Sequence, residues 1–213
     1  MAAPDSADLD AALHRYLDLL LERNLTTNLT AVRDPAEAWP RLILGSLAVL
    51  DAHPFAGAER IADVGSGGGL PGIPLALALP GSRVTLVESD QRKAEFLGDA
   101  VAALGLGDRV TVDARRAEAV GRDRDHREAY EVAVTRAAAK APVAAELCLP
   151  LVRPGGVLLA LAREDDWRAA ARALGQLGGR MTAYRSGVVI VSKARPTPDP
   201  YPRRVGLPGK RPL

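Results

Sequence analysis

Asp63-Val-Gly65-Ser-Gly67-Gly68-Gly69-Leu70-Pro71-Gly72-Ile73-Pro74 is the stretch on which the fold turns. Five glycines fall in the eight residues from Gly65 to Gly72, more than a tight turn alone explains. Just before it, residues 61–64 read as a strand; just after it, residues 73–79 read as a helix. Glycines at such a handover let the main chain bend sharply and let a ligand lie directly against the backbone. Gly67, Gly69 and Gly72 match the spacing of a dinucleotide fingerprint, but the register is wrong. Gly65 already stands where the strand ends, and Leu70 falls where the third glycine should be. An acid at Asp63 would repel a pyrophosphate, and it suits a ligand carrying a cationic sulfonium and an ammonium group. The loop predicts a nucleoside-type methyl donor in preference to a dinucleotide.

Outward from the loop, short strands and helices alternate. Residues 84–88, 110–112, 132–135 and 157–161 read as further strands, with helical runs at 91–104, 115–120 and 142–149 between them. Alternation with loops this short implies a parallel, doubly wound sheet. A helix over 165–177 precedes strands at 181–184 and 188–192, which are separated by only three residues and must therefore be antiparallel. A parallel sheet ending in an antiparallel hairpin resembles the Rossmann-like, class I S-adenosylmethionine-dependent methyltransferases. Before the sheet lies a helical segment. Ser6 is positioned to cap a first helix carrying Leu9, Leu13, Tyr16, Leu17, Leu20 and Leu21, and a second helix is expected over 35–50. The expected organisation is an N-terminal helical segment (1–57) packed on the core, a methyltransferase domain (58–195) and a basic, proline-rich tail (196–213).

Several residues on this frame are candidates for the site. Glu88 ends the second strand, 23 residues after Gly65, where a carboxylate can accept hydrogen bonds from both ribose hydroxyls. After the third strand, Ala117 and Glu118 are placed to read a base edge, though Glu118 reads equally well as an exposed helix acid. The fourth strand runs into Thr135-Arg136-Ala137, the strand end that normally faces the transferable methyl. No Asn/Asp-Pro-Pro-aromatic loop follows it, as amino-group methylation would want. Cys148, in an apolar helical stretch, reads as core and not as the nucleophile of pyrimidine C5 methylation. His14, His53 and His126 are scattered, leaving no evident base for a ribose hydroxyl. Purine N7 remains attractive, because its in-plane lone pair attacks without a proton leaving, and catalysis reduces to positioning.

The chain has 213 residues, 47% of them hydrophobic and 25% charged, with a net charge of +2. Such a balance excludes a disordered chain, and apolar stretches such as 157–162 are too short to cross a bilayer. A single cysteine cannot form a disulfide within the chain, and the acidic start is unlike a secretory signal, so a cytoplasmic protein without membrane contact is expected. No His/Cys/carboxylate cluster has metal-ligand spacing, so no metal is expected. Charge is unevenly spread: residues 193–213 carry six basic residues against Asp199, and six of the 16 prolines. Composition alone leaves that tail open between a polyanion contact and a solvated end.

Asn28-Leu-Thr30, the whole run from Asp63 to Leu75, Arg92-Lys-Ala-Glu-Phe-Leu97, Thr135-Arg-Ala137 and the terminal stretch from Tyr201 to Leu213 carry a family resemblance. The chain resembles the bacterial 16S ribosomal RNA guanine-N7 methyltransferases, also known as the glucose-inhibited division protein B family. The resemblance implies S-adenosylmethionine as cofactor, held by Gly65, Gly67, Leu70, Glu88, Ala117, Glu118 and Arg136. It implies a catalytic role for Arg136 near donor and target base. It also implies RNA contacts at Asn28, Arg203, Arg204, Lys210 and Arg211, with 16S ribosomal RNA or the precursor small subunit as partner of a monomer. Two departures stand out: Leu42 and Gly45 replace the family's His and Asp, and Arg163-Glu164 replaces Lys-Gly. They are expected near surfaces that meet RNA or organise the donor pocket. They also leave open a relative that acts on another RNA or a small molecule, or an inactive donor-binding assembly factor.

Overall fold

The computed structural model describes residues 6–57, 59–136 and 139–213. Leu13, Tyr16, Leu17 and Leu20 recur at helical spacing and are buried, which lays α1 (Ser6–Asn24) against the body by one apolar stripe. The Asn24 side-chain oxygen accepts from the backbone N–H groups of Leu29 and Thr30 and closes the turn that follows. The segment expected as one helix over 35–50 is helical but not uniform. Asp34 caps α2 (Pro35–Ala38), a π-helical turn follows (Trp39–Leu44), and α3 (Gly45–Ala52) completes it.

The alternating part comprises β1 (Arg60–Val64), α4 (Gly72–Ala78), β2 (Arg83–Val87), α5 (Gln91–Ala103), β3 (Val110–Asp113), α6 (Ala117–Val120) and β4 (Tyr130–Arg136). It continues through α7 (Ala141–Cys148), β5 (Val152–Leu161), α8 (Glu164–Ala169), α9 (Ala171–Gln176), β6 (Gly179–Arg185) and β7 (Val188–Lys193). The seven strands form one sheet in the order β3-β2-β1-β4-β5-β7-β6. β1 to β5 run parallel, and β7 and β6 close the sheet as an antiparallel pair. Strand order reverses at β1, so a crevice opens between the carboxyl ends of β1 and β4. The helix expected over 165–177 is broken at Ala170 into α8 and α9.

Side-chain alternation divides the core between the two faces of the sheet. Ile61, Leu86 and Val134 pack beneath α1, α3, α4 and α5, whereas Ala62, Val64 and Ala133 pack beneath α7, α8 and α9. No described helix is long and apolar enough to cross a membrane.

The tail is a strap laid along the body. The Lys193 ammonium is 1% exposed and donates to Glu128, Thr197 Oγ1 and the carbonyls of Leu149 and Val152. Burial pulls its pKa down to about 8 against the opposing pull of Glu128. Arg127 donates to the carbonyls of Thr197, Pro198 and Tyr201, and Arg122 to that of Pro200. The chain then turns into α10 (Leu207–Lys210).

The buried Tyr16 hydroxyl donates to the Gly68 carbonyl at 2.6 Å and ties α1 to the glycine loop. Tyr16→Phe leaves that carbonyl unpartnered and is expected to cost about 1–3 kcal/mol. Urea unfolding checks this: the midpoint should fall with an unchanged m-value, and an unmoved midpoint would show that the tie contributes nothing.

Candidate functional site

The loop between β1 and α4 is built by the main chain. Gly65 and Ser66 donate their N–H groups to the Val87 carbonyl, which extends the sheet by one step before the chain turns. Gly67 (φ 56) and Gly69 (φ 91) take the left-handed turns that other residues adopt only with strain. At Gly68 a Cβ would stand 2.7 Å from Leu20 Cδ1 and 3.3 Å from Leu29 Cβ, so the N-terminal segment presses directly on the back of the loop.

Asp63 does not do what its position in the sequence predicts. It is fully buried beneath the loop, its Oδ2 accepts from Gly72 N–H at 3.0 Å, and it is not among the residues that line the crevice. Burial raises its pKa to about 7, opposed by the hydrogen bonds from Gly72 and Ser66 and assisted by Glu88. The expected contact with a cationic ligand is therefore corrected. Asp63 is an internal clamp on the start of α4, and burial favours its neutral form.

The crevice at the switch point is a cleft of about 800 Å³. Gly65, Gly67, Leu70, Glu88, Ala117, Glu118 and Arg136 all line it, so the sequence-predicted donor residues are brought together. Glu88 Oε2 accepts from Gly67 N–H at 2.9 Å and Oε1 from Asp90 N–H at 2.8 Å. Each oxygen retains a second lone pair, so the carboxylate can brace the loop and still accept from a diol. Glu118 is 7% exposed, and its Oε1 accepts from Gly206 N–H at 2.8 Å. It is therefore a shielded acid at the cleft and not a solvated one.

Arg136 is held by the π-helical turn. Its Nη2 donates to the Arg41 carbonyl at 2.8 Å, and its Nη1 lies 3.4 Å from both the Leu42 carbonyl and Ser46 Oγ. A Cβ on Gly45 would stand 3.9 Å from the same Nη1. The departure at position 45 thus falls beside Arg136: a carboxylate there would face the guanidinium, and this chain holds it with carbonyls and a hydroxyl. The other departure lies elsewhere. Glu164 pairs with Arg168 and lines a separate cleft between α8, α9 and the edge strand β6, away from the donor residues. The expectation that it organises the donor pocket is corrected.

Among the residues expected to meet RNA, Arg203 is also corrected. Its Nε and Nη2 form a two-pronged pair with the fully buried Glu146, so these donors are turned to an internal partner although the side chain stays 21% exposed. Asn28, Arg204, Lys210 and Arg211 are exposed, and none of the three cations enters an ion pair among the described residues. Ala137 lies outside the described residues. Cys148 is buried and its thiol is pushed up by burial, consistent with core. Sequence reasoning missed two walls of the cleft: residues 29–32 with Arg41 and Leu42, and the strap residues Gly206, Pro208 and Gly209. The paired glycines in Gly206-Leu-Pro-Gly209 were the available signal for a main-chain wall.

Residues 9–187 match the family described as rRNA small subunit methyltransferase G, GidB. Among curated relatives, the ribosomal RNA small subunit methyltransferase G of Pelotomaculum thermopropionicum is 43% identical over 211 residues, covering 93% of this chain and 88% of its own. That of Chloroflexus aggregans is 43% identical, covering 95% and 90%. Among solved structures, the mitomycin 7-O-methyltransferase MmcR is similar with a TM-score of 0.57 at 18% identity, covering 71% of this chain and 54% of that one. An O-methyltransferase family protein from Burkholderia thailandensis gives 0.57 at 16%, covering 76% and 58%. These structural likenesses establish the class I methyltransferase fold, with its sheet and terminal hairpin.

The raised pKa of Asp63 has a consequence for stability. Its protonated form is favoured in the folded state, so its contribution is fully present below pH 3.8 and is lost as pH rises through about 7. Asp63→Asn keeps an oxygen for Gly72 N–H and removes the charge. Urea midpoints from pH 4 to pH 8 should therefore decline less in the variant than in the wild type; parallel curves would show that Asp63 does not titrate in this window.

Proposed function

The chain belongs to the rRNA small subunit methyltransferase G family, and on that premise we propose that it transfers a methyl group from S-adenosylmethionine to N7 of a guanine in 16S ribosomal RNA. It is an S-adenosylmethionine-dependent methyltransferase, by family and by fold. The observation that supports the finer reading is the gathering of the glycine loop, Glu88, Glu118 and Arg136 on one switch-point cleft. Its size lies within the range of small-ligand sites, and its buried acids have acceptor capacity left for hydroxyl and amino groups.

The donor supplies an electrophilic methyl on sulfur: the N7 lone pair forms the new C–N bond as the S–C bond breaks, positive charge passes to the purine, and no proton leaves. The protein's work is then to bind, orient and exclude water. In this reading the loop from Gly65 to Leu70 offers main chain to the donor, Glu88 accepts from the ribose hydroxyls, and Ala117 with Glu118 meets the adenine. Arg136 has five N–H donors and three internal acceptors, which leaves donors for the O6 edge or phosphate of the target nucleotide. Arg136 would touch the substrate without taking a proton from it. Arg204, Lys210 and Arg211, with Asn28 on the facing turn, are assigned to phosphates of the RNA. The protein acts as a cytoplasmic monomer on the precursor small subunit.

Three outcomes are expected. S-adenosylhomocysteine should raise the melting temperature while NAD does not, and Gly65→Asp should abolish the rise; equal stabilisation by NAD would restore the dinucleotide reading. Mapping N7-methylguanine in 16S ribosomal RNA of a deletion strain should show one modification missing, and an unchanged pattern would overturn the assignment. Replacing Arg204, Lys210 and Arg211 together by Ala should weaken RNA binding and flatten its log–log salt slope by about 0.7–0.9 for each phosphate no longer neutralised. An unaltered slope would move the RNA surface away from the tail.

A further inference from the structure

Glu146 is a carboxylate with no place in the chemistry above, yet it is fully buried on α7. Four hydrogen bonds reach it, all from Arg203: the backbone N–H and Nε at 2.8 Å to Oε1, Nε at 3.1 Å and Nη2 at 2.5 Å to Oε2. A buried charge is tolerated only when fully paired, so this contact fixes both the side chain and the main chain of the strap at one point. Three residues later, at a left-handed turn (φ 78), Gly206 directs its N–H to Glu118 at 2.8 Å. Beyond that turn Pro208 and Gly209 line the same cleft as Ala117 and Glu118. On the way in, Pro202 packs over Gly121, where a Cβ would come within 3.1 Å of its ring.

We propose that the strap from Arg203 to Gly209 is a wall of the donor site, and that Glu146 and Arg203 are positioning residues for donor binding, acting through the Gly206–Glu118 hydrogen bond. The ligand end concerned is the adenine, so the inference rests on the assignment of Ala117 and Glu118 to that base. One oxygen of Glu118 is held by the strap, which orients the other for an exocyclic amino group. The tail then has two separate tasks. Its backbone and Arg203 face inward and shape the donor pocket, while Arg204, Lys210 and Arg211 face outward.

Calorimetric titration of the full-length chain with S-adenosylhomocysteine and with methylthioadenosine, which lacks the amino-acid end, tests this. Glu146→Gln loosens the anchor, and Gly206→Pro both deletes the N–H that Glu118 accepts and breaks the left-handed turn, since the proline ring fixes φ at about −65°. Both should weaken S-adenosylhomocysteine at least tenfold, and methylthioadenosine by the same factor, because the weakened end is the adenine. The triple Ala variant at Arg204, Lys210 and Arg211 should stay within twofold of wild type for both ligands. Affinities within twofold of wild type in Glu146→Gln and Gly206→Pro would overturn the proposal, as would a tenfold loss in the triple variant. Should Glu146→Gln fail to fold, Gly206→Pro, at an exposed position, decides alone. A wild-type chain that binds neither ligand would instead overturn the donor assignment on which the proposal rests.

Discussion

The constraint on which the rest depends is the tight seat of the loop from Gly65 to Gly72. Main chain here is enclosed on several sides: Leu20 and Leu29 press on Gly68, Ile73 and Leu97 on Gly69, and Leu86 with Asp63 on Gly72. Side chains at these places would push α1, α4 or α5 away from the sheet. Only a backbone stripped of side chains passes between the sheet end and the helices while keeping its other side open to the cleft. This is why the N-terminal segment and the glycine loop form one packed unit, joined by the Tyr16 hydroxyl.

Around that loop one device recurs. A buried or nearly buried carboxyl group accepts a backbone N–H from outside its own element: Asp63 from Gly72, Glu88 from Gly67, Glu118 from Gly206, Glu146 from Arg203. Where the acid is ionised these hydrogen bonds are stronger than neutral ones, and each acid is shielded enough to make a missing partner costly. Irregular backbone is thereby held in place without helix or sheet. The cleft is bordered by loops, and these acids supply the rigidity that secondary structure supplies elsewhere.

Much of this was legible in the sequence for identifiable reasons. The strands lie in short β-branched runs such as Val110–Val112 and Val188–Val191, and the short connection between the last two strands left no choice but an antiparallel pair. Glu88 and Arg136 were legible because strand ends in a doubly wound sheet converge on one crevice. What sequence could not supply was side-chain direction. Asp63 precedes Val64 at the end of β1, yet pleating turns it toward α4 and away from the cleft. Arg203 and Arg204 are adjacent and chemically identical, yet one is paired inside and the other exposed. The π-helical turn was equally hidden, since Trp39-Pro-Arg-Leu-Ile-Leu44 carries an ordinary helical pattern.

The strap shows how composition and geometry answer different questions. A tail of charge +5 on a body of −3 suggests attachment by bulk charge attraction. Yet the body groups that grip residues 197–201 include the cations Arg122 and Arg127, which donate to tail carbonyls. Attachment by specific hydrogen bonds leaves the tail's charge largely unspent. Of its six basic residues, only Lys193 and Arg203 meet an acid among the described residues. Arg204, Lys210 and Arg211 therefore keep an outward positive field beside the mouth of a cleft that Glu88 and Glu118 line together with Arg41, Lys93, Arg115, Arg116 and Arg136. Such an arrangement favours a polyanion at the rim, while next to the shielded carboxylates of Glu88 and Glu118 hydrogen-bond donors are better matched than further anions.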